Sequence, residues 1–204
     1  MYTPEIYKND NQEEIKKFLQ ENSFGILINQ TNGKLCATHI PLELETNKEG
    51  KDILYGHISK ENLQWNGFID NDQILAVFSG PHSYISSSWY DHENVPTWNY
   101  IAIHVYGKIK ITEGEAVIES LKKLVDKYEK NSEIPVRVED LSQKTMMQTR
   151  GIVAFEIEIT EIQATRKLSQ NRDEKNHQNI ISELEKANTN QSIAIANEMK
   201  KCPI

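Results

Sequence analysis

Two long runs of alternating apolar and polar residues limit what this chain can fold into. Over residues 98–111, Ile101, Ile103, Val105, Ile109 and Ile111 share one face, while Tyr100, His104, Tyr106, Lys108 and Lys110 share the other. A period of two marks a β-strand with one buried face. In the second run Val153, Phe155, Ile157 and Ile159 alternate with Ala154, Glu156 and Glu158, and the apolar positions then change parity to Ile162 and Ala164. A one-residue slip within a strand predicts a β-bulge near Thr160-Glu161. Bulges bend a sheet, so the pattern favours a barrel over a flat sheet.

Shorter strands complete the set. Residues 24–28 and 35–39 flank Thr31-Asn32-Gly33-Lys34, and Asn-Gly between apolar runs is a strong hairpin signal. Lys48-Glu49-Gly50-Lys51 predicts a turn into a strand over 53–58, and another strand is expected over 73–78. A first helix is expected over 10–21, with Ile15, Phe18 and Leu19 as its apolar stripe. Thr112 and Glu115 have the spacing of a capping box. The helix after them carries Val117, Ile118, Leu121, Leu124, Val125 and Tyr128, a stripe wide enough to predict a core-packing helix. About six strands, with a helix between the last two, fit a small antiparallel barrel better than an α/β sheet. After Arg172 the chain turns rich in Asn, Gln, Glu and Lys, with Ile180, Ile181 and Leu184 marking one helix and Ile193, Ala196 and Met199 another. The expected organisation is a barrel domain over 1–172 and a helical extension over 173–204. That extension docks on the barrel, swaps onto a partner subunit, or frays.

Several function classes have no support. No Gly-x-Gly-x-x-Gly or Walker-type loop occurs, so a Rossmann site is not expected. No apolar run approaches the roughly 20 residues that cross a bilayer, and the N-terminus lacks a secretory pattern. Cys36 reads as a buried free thiol, and with Cys202 it makes neither a disulfide framework nor a zinc site. His39, His57, His82, His92, His104 and His177 show no metal-ligand spacing. A cytoplasmic location and no membrane partner follow as expectations. The net charge of −7 opposes general attraction to DNA phosphates. A local basic patch has only Lys122-Lys123, Lys200-Lys201, and Arg166-Lys167 with Arg172 to draw on, and no helix-turn-helix is evident.

The most unusual stretch is Gly80-Pro81-His82-Ser83-Tyr84-Ile85-Ser86-Ser87-Ser88-Trp89-Tyr90 with Val95-Pro96-Thr97-Trp98-Asn99-Tyr100. Aromatics at this density must pack on something, either a planar cofactor or a subunit interface. Together with Met1-Tyr2-Thr3-Pro4, Thr38-His39-Ile40-Pro41-Leu42, Gly56-His57 and Lys167-Leu168-Ser169-Gln170-Asn171-Arg172, these blocks resemble the PaiB-like family of FMN-binding negative transcriptional regulators over nearly the whole chain. Two departures are losses of proline: Asn62-Leu63 stands where the family has Asn-Pro, and Ser86-Ser87-Ser88 where it has Ser-Pro-Ser.

The resemblance implies a six-stranded split barrel, FMN as cofactor at a homodimer interface, and negative regulation of transcription. DNA or another regulatory protein is the implied partner. It also implies site residues. Ser59 and Lys60 leave a strand as a hydroxyl beside a cation and are the first candidates for the flavin phosphate, against an ordinary surface turn. Ala37, Thr38 and His39 lie on the flavin-facing strand, where His39 otherwise caps the strand before Pro41. Ser86 and Ser88 offer hydroxyls to phosphate or ribityl, against a hydroxyl-rich loop with Trp89 buried. Trp98 packs on the cofactor or across the dimer. Lys167, Gln170 and Arg172 clamp an anion or the polar ring edge, against a polar loop after the last strand. Two alternatives stay open. One is an enzyme, either a flavin-dependent oxidoreductase or a haem-binding and haem-degrading protein, with His82 or His92 as proton donor or axial ligand. The other is a cofactor-free interaction protein whose aromatic loop is a dimer interface.

Overall fold

A computed structural model describes residues 1–70 and 73–202. Seven strands form one open sheet: β1 (Phe24–Thr31), β2 (Lys34–Pro41), β3 (Glu43–Thr46), β4 (Asp52–Ser59), β5 (Gln73–Ile85), β6 (Thr97–Thr112) and β7 (Ile152–Lys167). Their order is β2-β1-β5-β6-β7-β4-β3. The helices are α1 (Gln12–Glu21), α2 (Gly67–Asp70), α3 (Glu115–Glu129), α4 (Gln143–Met146), α5 (Glu174–Ala187) and α6 (Asn190–Lys200). The sheet has one strand more than the six expected. The extra one is β3, four residues whose Glu-Leu-Glu-Thr pairs with β4 from Glu43↔Tyr55 to Thr46↔Asp52. No helix among the described residues is long and apolar enough to cross a membrane.

The chain divides into two compact units. The first comprises Met1–Phe18, Phe78–His104 and Gln163–Ile204, and the second Leu19–Val77 and Val105–Ile162.

In the second unit the β1–β2 hairpin closes through Asn32 and Gly33, with φ of 52° and 74°. Both angles are those of a type I′ turn, which is what Asn-Gly favours. Leu27, Leu42, Leu54 and Ile157 are fully buried, and Phe68 meets Phe155 edge-on at 5.3 Å. β2 and β4 approach at Gly56, where a Cβ would lie 3.0 Å from the Pro41 carbonyl oxygen. This is the curl that the alternation and parity change predict.

Helix α3 differs from expectation in two ways. It starts after Gly114 with no side-chain cap, so the Thr112–Glu115 box does not form. None of its residues is buried. Polar groups anchor it instead. Lys127 Nζ is 2.5 Å from Glu43, a carboxylate only 4% exposed, and Tyr128 Oη donates to the other Glu43 oxygen at 2.9 Å. Lys123 pairs with Glu45 at 2.6 Å. A helix bound to a strand edge by charges leaves its apolar stripe half wet, and periodicity alone does not distinguish that from core packing.

In the first unit, α5 and α6 pack Ile180, Ile181, Leu184, Ile195, Ala196 and Met199 around Ile85, Tyr90, Ile101 and Leu168. Asp173 caps α5 and Thr189 caps α6, which gives both polar helices definite starts. At the end of β7, Ala164 and Thr165 are both buried.

Burial holds His57, His104 and His177 below the usual histidine pKa. Each therefore stays neutral in the fold while its unfolded counterpart takes up a proton near pH 6.5. A depressed folded pKa gives stability that is complete above pH 6.5 and is lost as the pH falls. Each proton of difference changes stability by about 1.4 kcal/mol per pH unit. The melting temperature should fall between pH 7 and 5.5, with a shallower slope in His177→Asn. A melting temperature that is flat over that range contradicts this assignment.

Candidate functional site

In the second unit, β4 ends at Ser59 and the chain turns at once. Asn62 N–H donates to the Ser59 carbonyl at 3.0 Å, and Glu61 N–H to Ser59 Oγ at 3.2 Å. Lys60 N–H donates to the Gly151 carbonyl at 2.9 Å, and the Trp65 indole donates to the Lys60 carbonyl at 3.0 Å. The backbone of Lys60 is thus fixed on both sides while its ammonium is exposed. Arg150, next to Gly151, is exposed too, and neither cation forms an ion pair among the described residues. Nothing in the sequence around Arg150 points to the site. The β4–β7 register, Ser59↔Ile152, brings it there.

Asn62 opens a 3-10 turn, Leu63–Asn66, and accepts from Gln64 N–H at 3.1 Å. Its side-chain amide donates to Thr38 Oγ1 at 2.8 Å, and the Thr38 hydroxyl donates to Gln64 Oε1. Gln64, 3% exposed, sends its amide to the carbonyls of Leu27 at 3.0 Å and Cys36 at 3.4 Å. Its own carbonyl accepts from Asn29 and Thr31. A cleft of about 530 Å³ opens beside this network, lined by Lys34, Cys36, Ala37, Thr38, Asn62 and Leu63 among others. Ala37 and Thr38 thus share the cleft wall with the Asn62–Gln64 turn. His39 points to the exposed side, its ring 6.4 Å from Phe24. Cys36 is half-exposed on the cleft wall, so the expectation of a buried thiol is corrected. β2 is an edge strand, which covers less of Cys36 than a central strand would.

In the first unit, the serine run makes a self-capping turn. Ser86 Oγ accepts from Ser88 N–H at 3.2 Å and lies 2.9 Å from Ser88 Oγ. This hydroxyl pair does locally what proline does in the family pattern. Trp98 is 53% exposed and Tyr84 46%, their rings 5.9 Å apart, with His82 6.2 Å from Trp98. His92 bonds Asp91 at 2.9 Å. Lys175 and Asn176 also bond Asp91, and together these contacts hold its carboxyl well below the usual carboxylate range.

The 167–172 segment is shaped by its own side chains. Ser169 sits at φ +62°, in the left-handed region that non-glycine residues seldom adopt, and its hydroxyl is bonded to buried Asn99. The Gln170 side chain accepts from Leu168 N–H at 2.7 Å and donates to the Arg166 carbonyl. Gln170 therefore shapes the loop. Lys167 donates to Thr97 Oγ1 and lies 5.9 Å from the Tyr7 ring centre, and Arg172 lies 5.0 Å from that of Tyr90.

Residues 1–161 match a family model described as "Putative FMN-binding domain". The chain belongs to this family of FMN-binding domains, and its cofactor is FMN. It is 45% identical over 186 residues to "Protease synthase and sporulation protein PAI 2" of Bacillus subtilis, covering 91% of this chain and 89% of the relative. Among solved structures it is similar to the flavocytochrome Anf3 of Azotobacter vinelandii, with a TM-score of 0.62 and 18% identity over 84% of this chain and 75% of that one. It is equally similar to an FAD- and haem-binding protein of Mycobacterium smegmatis, with a TM-score of 0.62 and 14% identity over 84% and 78%. At such identities these two likenesses show the fold alone, an open split barrel. The donor set at Ser59, Lys60 and Arg150 fits a phosphate: a hydroxyl and two cations that no carboxylate among the described residues neutralises.

Proposed function

We propose that this chain is a cytoplasmic, homodimeric FMN-binding regulator that lowers transcription through a protein partner. In this reading Ser59 and Lys60, joined by Arg150, take the flavin phosphate, and Ala37 and Thr38 form the wall of the flavin strand, while His39 lies on the exposed side. The name of the B. subtilis relative, a protein of protease synthesis and sporulation, supports a regulatory role. The flavin would supply redox chemistry, while the chain's own residues bind and orient it.

The observation that carries the choice of partner is that most of the basic candidates are already paired, only Lys167 and Arg172 among them lacking a carboxylate among the described residues. Lys122 pairs with Glu139, Lys123 with Glu45, Lys200 with Glu185 and Lys201 with Glu198, while Arg166 pairs with both Glu14 and Glu198. Cations already matched by carboxylates do not neutralise DNA phosphates. A protein surface is then the better partner. The exposed His82–Tyr84–Trp98 cluster supports a homodimer, since aromatics are enriched at interface centres.

The test is an FMN titration followed by visible absorption, with solution mass by light scattering. Saturable uptake near one FMN per subunit and a dimer mass are expected. Trp98→Ala should weaken dimerisation about 30-fold, the effect of losing an aromatic hot spot of roughly 2 kcal/mol. A wild-type monomer at high concentration would refute the dimer. Salt-dependent binding to arbitrary DNA would refute the protein-partner route.

A further inference from the structure

The 167–172 segment treats its cations unequally. Arg166 is ion-paired to Glu14 and, at 2.9 Å, to Glu198. The two cations that follow, Lys167 and Arg172, are half-buried and pair with no carboxylate among the described residues. Burial and the nearby charge of Arg172 both push the Lys167 pKa down. Two like charges held in a partly desolvated place oppose each other, and no carboxylate among the described residues supplies a counter-charge. Each head group faces an aromatic ring, Lys167 that of Tyr7 and Arg172 that of Tyr90.

Polar atoms around the pair also lack partners. Arg172 Nε and Tyr90 Oη are buried without a hydrogen bond, and Tyr90, only 8% exposed, lies beneath the Arg172 guanidinium. Native proteins rarely leave such groups unmatched. Thr97 Oγ1 accepts from Lys167, so its own proton is left to donate. The donors therefore comprise a guanidinium, an ammonium, a phenol and a hydroxyl, none of them paired with an acidic group among the described residues.

We infer that Lys167 and Arg172 form a binding site for the phosphoryl group of a small ligand other than FMN. Arg172 grips two of its oxygens and Lys167 supplies a point charge, with Tyr90 and Thr97 donating to the rest. The assignment to a second ligand rests on the reading that gives the flavin phosphate to Ser59 and Lys60. FMN has one phosphate, and the chain has two sets of unneutralised cations. The exposed set costs little when empty, whereas the half-buried set is unfavourable until an anion fills it.

Calorimetric titration of the FMN-loaded protein with inorganic phosphate, in chloride buffer of low ionic strength, tests this. Uptake of one phosphate per subunit is expected. Arg172→Ala and Lys167→Gln should each weaken it at least tenfold, with FMN affinity changed less than twofold, and Arg172→Lys should recover part of the loss. Lys60→Ala should do the reverse, lowering FMN affinity and leaving phosphate uptake intact. No phosphate uptake by the loaded protein overturns the inference. So does competition between phosphate and FMN together with loss of FMN binding in Arg172→Ala, which would return the pair to the flavin. If wild type binds no FMN, the flavin reading fails by itself, and the same titration on the free protein still decides whether the pair binds phosphate.

Discussion

The double variant Lys60→Ala/Arg150→Ala should lose at least a hundredfold in FMN affinity and nothing in riboflavin affinity. Hydrogen bonds to charged groups contribute about 1.5–3 kcal/mol each, or roughly 10–100-fold per cation. Riboflavin has no phosphate, so its binding does not use these residues. The contrast separates loss of a phosphate contact from damage to the fold. Both side chains are exposed and unpaired among the described residues, so their removal breaks no ion pair of the fold. The backbone bonds of Lys60 to Gly151 and Trp65 do not involve its side chain and survive the substitution. Flavin fluorescence quenching measures both affinities. Equal losses for FMN and riboflavin would mean that Lys60 and Arg150 do not meet the phosphate. Unchanged FMN affinity would remove them from the site.

The proposed phosphate site was partly legible in the sequence, and the boundary of legibility has a physical cause. Ser59 and Lys60 are neighbours, so a hydroxyl beside a cation at a strand end can be read directly. Arg150 lies far along the chain and joins them only through the pairing of β4 with β7. The long strands were legible because their period of two persists through β6 and β7. β3 was not, since four residues give too short an alternation to count. Helix α3 shows a different gap: its apolar stripe is real, yet the ion pairs of Lys127 and Lys123 decide how it sits. The serine run drew notice as a donor cluster, and the bond between Ser86 and Ser88 still leaves one of the two hydroxyl protons to donate.

Gln64 was missed altogether, because a glutamine in a polar turn looks like surface. Its substitution should nevertheless be among the most damaging in the second unit. Gln64→Ala removes one acceptor and two donor contacts, leaving the Leu27 and Cys36 carbonyls and the Thr38 hydroxyl short of partners. Each unsatisfied buried group costs about 1–3 kcal/mol, and the adjoining cleft lets water make up part of that. A net loss of about 2–4 kcal/mol is expected, lowering the melting temperature by roughly 5–15 °C. Gly67→Ala should act on the same network more severely. A Cβ there would lie 2.4 Å from the Gln30 carbonyl oxygen, 2.5 Å from Thr31 Oγ1 and 2.6 Å from Asn29 Nδ2. The first of these is backbone of a paired strand, next to its end at the hairpin, so the turn itself must move, and Thr38 and Asn62 on the cleft wall move with it. If Gly67→Ala melts like wild type, the tight contact between turn and β1 is wrong. If Gln64→Ala does so, water replaces the amide fully and the network contributes shape without stability.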